Sequence, residues 1–188
     1  MLTHLRPAIT LTILFTLLTG LAYPLAITGL AQGLFPVAAN GSLILQGDTV
    51  IGSSLIGQSF DAPGYLHPRP SASGWNAAGT GASNLGPTSA VLIATVAKRR
   101  AAWQALNGQA APIDAVTASG SGLDPDISPQ TALAQADRIA AARGADVVAV
   151  RALIASATLD RTLWLFGEPR VNVLETNLKL DAAFPTKQ

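Results

Sequence analysis

Ala8 to Leu30 is an unbroken apolar run of 23 residues whose only polar side chains are threonines, and no charge occurs from Pro7 to Asn40. At 1.5 Å per residue such a run is about 34 Å long, enough for a hydrocarbon core of about 30 Å at modest tilt. The pattern predicts a membrane-spanning helix over residues 7–34. The hydroxyls of Thr10, Thr12, Thr16 and Thr19 can bond to carbonyls one turn back, which lets lipid tolerate them, and Pro24 is expected to kink the last turns. Gly29 and Gly33 have the small-residue spacing that admits close helix–helix approach, although glycine is also simply common in membrane helices. Val37-Ala38-Ala39 offers small residues to a signal peptidase, but a signal's apolar stretch is usually ~7–15 residues, so a retained anchor is favoured.

The pattern changes after the anchor. Proline, glycine and asparagine mark a linker over 35–41, followed by apolar stretches Ser42 to Gln46 and Thr49 to Phe60 around Gly47-Asp48, which predict a hairpin. Asp61 to Pro87 is dense in Gly, Pro, Ser and Asn, with Tyr65, Trp75 and Leu85 as anchors; it reads equally as a linker or as an ordered functional loop. Thr88 to Leu106 carries helical periodicity with Gly108 as a stop. Ser128-Pro129 opens a second helix that runs to Arg143 and Gly144, and Asp146 caps a third through Ser156. Arg161 to Phe166 reads as a strand, and Val171, Leu174 and Leu178 as a helix, with alternation around Leu178 and Leu180 as the rival pattern. The fold class expected is α+β: a single N-terminal transmembrane helix followed by one mixed α/β extracytoplasmic domain. The segments are 1–6 in the cytoplasm, 7–34 across the membrane, 35–41 as linker and 42–188 as the outer domain.

Composition agrees with an anchored chain. Only 12% of residues are charged, about half of the ~25% usual for soluble proteins, and mean hydropathy is +0.37. Beyond Arg6, the basic and acidic side chains balance at eleven each. No basic face for nucleic acid results. Arg6 and the amino terminus place positive charge on the short leading side, so the positive-inside tendency leaves the rest of the chain outside. Lys98-Arg99-Arg100 reads as a solvated face, with lipid headgroups or an acidic partner as the alternative.

The chemical vocabulary is narrow. There is no cysteine, and the only histidines are His4 and His67, which removes disulfides, thiolate chemistry and histidine-rich metal sites. No lysine follows a glycine, so a phosphate-binding loop is absent, and the Asp-Lys-Thr signature of a phosphorylated pump subunit is missing too. Thr117 to Pro125 looks at first like a serine-nucleophile turn, but Ser119 and Leu123 stand where Gly-x-Ser-x-Gly needs glycine. A tight turn packed on its own domain or on a partner is the better reading. Asp124 and Asp126 are too few ligands for a hard cation and suit a turn and a helix start.

Several strings in fixed order nevertheless resemble one family. They are the leading helix, Gly52-Ser53 with Gly57-Gln58-Ser59-Phe60, Arg69-Pro70-Ser71-Ala72, Gly81-Ala82-Ser83-Asn84-Leu85-Gly86, Thr117 to Pro125 with Ile127-Ser128-Pro129, and Gly167-Glu168-Pro169-Arg170-Val171-Asn172-Val173-Leu174. Together they span nearly the whole chain and resemble the C subunit of the bacterial Kdp-type potassium-transporting ATPase. Trp75 departs from the family's expected tyrosine before Asn76, and Ala77 to Thr80 is looser than the usual pattern.

The resemblance implies a non-catalytic, single-pass inner-membrane subunit with a periplasmic domain, in a complex that imports potassium at the expense of ATP. Its implied partners are a channel-like potassium-translocating subunit, a P-type ATPase subunit that carries the catalytic aspartate, and a small single-helix subunit, besides membrane lipid. No cofactor is expected on this chain, since ATP and potassium are handled by the complex. The family also suggests a catalytic chaperone that raises the ATP affinity of the P-type subunit. The candidate partner-contact residues are Arg69, Ser71, Asn76, Ser83, Asn84, Ser119, Ser121, Asp124, Arg170 and Asn172. A membrane-anchored extracytoplasmic enzyme or binding protein unrelated to transport is the alternative.

Overall fold

The computed structural model describes residues 2–185. Met1 of the expected leading segment and 186–188 of the expected outer domain lie outside the described residues. The chain forms two compact units that divide between Val50 and Ile51.

In the first unit, a 3-10 turn at Leu2–His4 leads into helix α1 (Leu5–Leu17), a π-helical turn at Leu18–Ala22 and helix α2 (Tyr23–Leu34). Together they give one apolar helix, Leu5–Leu34, long enough to cross a membrane. Its large side chains from Leu5 to Leu34 lie on the surface, as a lipid-facing segment requires. The widened turn lies just before Pro24, which has no N–H to donate and whose ring crowds the carbonyl a turn earlier. Thr19 Oγ1 donates to the Phe15 carbonyl at 2.6 Å, the expected back-bond. A short helix α3 (Pro36–Ala39) occupies the expected linker. There Asn40 and Gln32 exchange two amide hydrogen bonds of 3.1 and 3.2 Å. Strand β1 (Leu43–Gln46) then pairs across Gly47 and Asp48 with β2 (Thr49–Ser53), a strand within which the division between the units falls. The hairpin was expected, but its second strand ends at Ser53 rather than Phe60.

In the second unit, helix α4 (Ala90–Asn107) starts where the Ser89 hydroxyl accepts from Leu92 N and stops at Gly108 in the left-handed region. A short helix α5 (Ile113–Val116) and strand β3 (Asp126–Ile127) follow. The helix predicted from Ser128 is two, α6 (Pro129–Ala134) and α7 (Ala136–Arg143), jointed at Gln135 and closed by Gly144. Asp146 caps α8 (Val147–Ser156) as expected. Strands β4 (Thr158–Leu159) and β5 (Arg170–Asn172) complete an antiparallel sheet in the order β3-β5-β4, with Ile127 opposite Val171 and Thr158 on its other side. Helix α9 (Val173–Ala183) begins at once, because Asn172 Oδ1 accepts from Glu175 N at 3.0 Å. The core gathers Leu66, Ile127, Ile139, Val150, Ile154, Val171, Val173 and Leu180 around three buried alanines. The α+β reading therefore holds.

Two expectations need correction. Arg161 to Phe166 is not a strand: it is a tight loop bridged only from Thr162 to Phe166, with Leu163 and Trp164 at positive φ. Its apolar residues face solvent, so nothing selects an extended partner-seeking strand. The final segment is also a strand before it is a helix, since Arg170 to Asn172 pair on both edges before the Asn172 cap turns the chain.

Candidate partner-contact site

Residues 54–88 contain no helix or strand, yet the segment is fastened to the lobe. Backbone groups removed from water need partners, and here buried side chains supply them. Asn177 accepts from Leu66 N at 2.7 Å through Oδ1 and donates Nδ2 to Leu66 O at 3.0 Å. Gln135 repeats the arrangement one residue on, accepting from His67 N at 2.8 Å and donating to His67 O at 3.2 Å. Two amides thus hold consecutive residues of an irregular strap as flanking strands would.

Two arginines of α7 fasten the same strap. Arg138 donates to the carbonyl of Tyr65, to Gln135 Oε1 and to Asn107 Oδ1, and its own burial lowers its pKa to about 10, leaving it charged near neutrality. Arg143 donates Nε to Gly64 O at 2.6 Å, Nη1 to Phe184 O at 2.7 Å and Nη2 to Asp181 Oδ1 at 2.8 Å, and lies 4.8 Å from the Tyr65 ring centroid. Sequence reasoning nominated none of Gln135, Arg138, Arg143 or Asn177. The available signal was two arginines five residues apart in an alanine-rich helix, beside a long irregular segment whose backbone had to be satisfied.

The fastened strap carries the first candidate loop to the second. Arg69 Nη1 meets Asp124 Oδ2 at 2.9 Å. The Ser71 hydroxyl donates to Gly122 O at 2.6 Å and accepts from Ser73 N and Trp75 N. Ser119 N donates to Pro70 O, and Ser121 O accepts from Gly81 N at 2.8 Å and Thr80 Oγ1 at 2.7 Å. A third segment joins through Gly57 N, which donates to Leu123 O at 2.8 Å. Glycine is required at this crossing, since a Cβ on Gly57 would lie 2.5 Å from Asp124 O. Gly122 adopts φ +70° with its face closed by Ser73 and Gly81.

Arg69, Ser71, Ser119, Ser121 and Asp124 therefore meet in one clasp. Asn76, Ser83 and Asn84 do not join it: all three are exposed, Asn84 has φ +53°, and Asn76 Oδ1 caps its own turn by accepting from Ala78 N. Arg170 and Asn172 stand alongside on β5. Arg170 Nε lies 3.2 Å from Asp126 Oδ2, and Asn172 Nδ2 donates to Ser54 O at 2.8 Å. Burial raises the pKa of Asp126, an effect that the Arg170 charge opposes without cancelling. Arg69 and Arg170 pair with the two carboxylates once weighed as cation ligands. Among the described residues, no group of three or more His, Cys, Asp or Glu is placed to hold a metal.

Beside the clasp is a largely apolar cleft of about 390 Å³ lined by Phe60, His67, Trp75, Arg99 and Trp103 among others. The pKa of His67 is lowered by burial first and by the Arg138 charge second. Its Nε2 lies 3.2 Å from Ala62 O and 3.3 Å from Arg138 Nη1. It can donate to the first or accept from the second, but not both. In the basic cluster, Lys98 and Arg100 are exposed, whereas Arg99 Nη1 donates to Val116 O at 3.1 Å.

An apolar helix long enough to cross a membrane, followed by a small α+β lobe, fits the class of single-pass membrane proteins. Comparison with known proteins names its family. The family model for the K+-transporting ATPase c chain, KdpC, matches residues 5–182. The potassium-transporting ATPase KdpC subunit of Cereibacter sphaeroides (strain ATCC 17029) is 63% identical over 183 residues, covering 97% of this chain and 99% of the relative. Subunits of the same name from Beijerinckia indica, at 53% identity over 100% of this chain and 98% of the relative, and from Caulobacter vibrioides, at 54% over 98% and 96%, are similar end to end. The chain belongs to the KdpC family and is a subunit of a potassium-transporting ATPase complex.

Proposed function

We propose that this chain is a non-catalytic accessory subunit of an ATP-driven potassium importer in the inner membrane, with its amino terminus cytoplasmic and its lobe periplasmic. It stabilises the assembly by seating the lobe on the channel-like subunit, while its helix packs in the bilayer. ATP and potassium are handled by the other subunits, and the catalytic aspartate lies on the P-type subunit. The observation that supports this reading is the clasp, in which two irregular loops spend their charges and hydroxyls on each other. Such a region is a preorganised platform for a polar protein surface, with Asn76, Ser83 and Asn84 left outward for contact. With the lobe periplasmic and ATP cytoplasmic in this reading, any chaperone effect of the lobe on ATP affinity is indirect.

The test is to express the complex with this chain truncated after residue 41. The expected result is lower recovery of the other subunits from detergent extracts, or a higher potassium concentration for half-maximal ATPase activity. Unchanged recovery together with unchanged potassium dependence would refute the proposal.

A further inference from the structure

Two walls of different origin form the cleft beside the clasp. One is a face of α4, where Arg99, Trp103 and Leu106 follow one another at helical spacing. The other is the fastened strap, which contributes Phe60, Pro68, Pro70 and Trp75. Two features point to a ligand. Trp103 is 9% exposed, yet its indole N–H meets no acceptor among the described residues, and buried donors left in that state are rare. Charge is the second feature. Arg99 gives one N–H to the Val116 carbonyl, Arg138 spends its donors on carbonyls, side-chain amides and His67, and neither forms an ion pair among the described residues. Burial lowers the Arg138 pKa with no acid opposing it, and His67, lowered too, is neutral near pH 7. Asp61 is the one carboxylate that lines the cleft. Two guanidinium groups at or behind this cleft are thus balanced by a single acid, and a partly buried cation without a counter-ion is costly.

We propose that this cleft binds a small aromatic carboxylate, with its ring between the aromatic and proline walls and its acid group on Arg99. The walls select the ring, because Phe60, Trp75 and Trp103 offer flat faces on which a planar apolar body stacks. Arg99 selects the acid. The fork of a guanidinium matches a carboxylate, and all but one of the Arg99 N–H groups are without an acceptor among the described residues. One such group suits one carboxylate and leaves the further charges of a polyphosphate unmet. Size selects a free molecule over a protein segment: about 390 Å³ lies near the lower end of the roughly 300–1,000 Å³ of small-molecule sites and has room for one or two rings. The cleft lies wholly within the second unit, so it depends neither on where the clasp docks nor on which way the chain crosses a membrane.

The test uses the full chain in lipid nanodiscs, alone and in the assembled complex, with 5-fluorotryptophan at Trp75, Trp103 and Trp164. The probe is 2-naphthoate, and 2-naphthamide is its neutral counterpart. Fluorine resonances are assigned with Trp75→Phe, Trp103→Phe and Trp164→Phe. The expected result is a saturable shift at Trp75 and Trp103 with naphthoate, none at Trp164, and binding of the amide weaker by about tenfold or more. Arg99→Gln should erase that preference while still binding the amide, which shows that the cleft is folded. Ala102→Trp, at an exposed position that lines the cleft, should block both probes at an unaltered unfolding midpoint. Equal affinity for acid and amide in the wild type, a shift shared by Trp164, or naphthoate binding that survives Ala102→Trp would overturn the proposal. So would loss of binding in the assembled complex, which would mean that another subunit covers the cleft, or displacement of naphthoate by lower concentrations of ATP, which would assign the cleft to a nucleotide.

Discussion

Replacing Asn177 with alanine removes one side chain and strands two backbone groups. Asn177 is 1% exposed and satisfies both the N–H and the C=O of Leu66, which is itself fully buried. Each stranded group costs about 1–3 kcal/mol. The expected loss is therefore about 2–6 kcal/mol, with the lower end reached if water enters the polar void. Asn177→Asp is sharper: it keeps the acceptor for Leu66 N but turns a carboxylate oxygen toward Leu66 O. Burial raises the pKa of that acid above its unfolded value, so the folded state binds more protons and the variant loses stability as pH rises. Urea unfolding of the full chain in mild detergent, followed by circular dichroism, gives both quantities from the midpoint at constant slope. A loss below about 1 kcal/mol for Asn177→Ala, or equal stability of Asn177→Asp at acid and neutral pH, would refute the clamp.

Other consequences follow from the same geometry. His67 has a folded pKa below its unfolded value, so its contribution is complete above the unfolded pKa and is lost as pH falls from there through the folded one. His67→Gln should flatten that acid limb of stability measured by denaturant midpoint. Asp126 is the opposite case: its raised folded pKa favours the folded state in acid and is lost as pH rises. Asp126→Asn should be at least as stable as the wild type at pH 7 and lose that advantage in acid, in parallel thermal melts. Gly57→Ala should cost about 1–3 kcal/mol by overpacking against Asp124, read in urea midpoints, and an unchanged midpoint would show that the crossing yields freely.

What the sequence disclosed were features set by local chemistry. Ser89, Ser128, Asp146 and the closing Gly108 and Gly144 mark helix ends because orphan N–H and C=O groups must be met within a turn. The apolar helix declared itself by length alone. Strands β3, β4 and β5 were illegible because two or three residues cannot show a period, and they exist only through pairing far along the chain. Arg161 to Phe166 misled for a related reason: aromatic and branched side chains suit a pleated surface, but no neighbouring strand or core receives them. The clasp was half legible. Its loops were singled out by composition, whereas the identity of what holds them, Gln135, Arg138, Arg143 and Asn177, depends on tertiary distances that no spacing rule encodes.

The clasp also changes which residues can report on docking. Ser71, Ser119, Ser121 and Asp124 bond within their own chain, so replacing them first loosens the lobe. A drop in complex recovery for Asp124→Ala would confound folding with contact. Asn76, Ser83 and Asn84 are exposed, and so is the Leu163 to Phe166 tip. Asn76 caps its own turn and Asn84, Leu163 and Trp164 hold positive φ, so of these Ser83 is the position where a surface substitution is expected to leave stability within about 0.5 kcal/mol and any change in assembly to be a change in contact. Bulky replacements at Ser83 should therefore weaken subunit recovery at an unaltered unfolding midpoint if the platform faces the channel-like subunit. Asp124→Ala should move both readouts together, and the separation of these two patterns distinguishes a docking surface from its internal support.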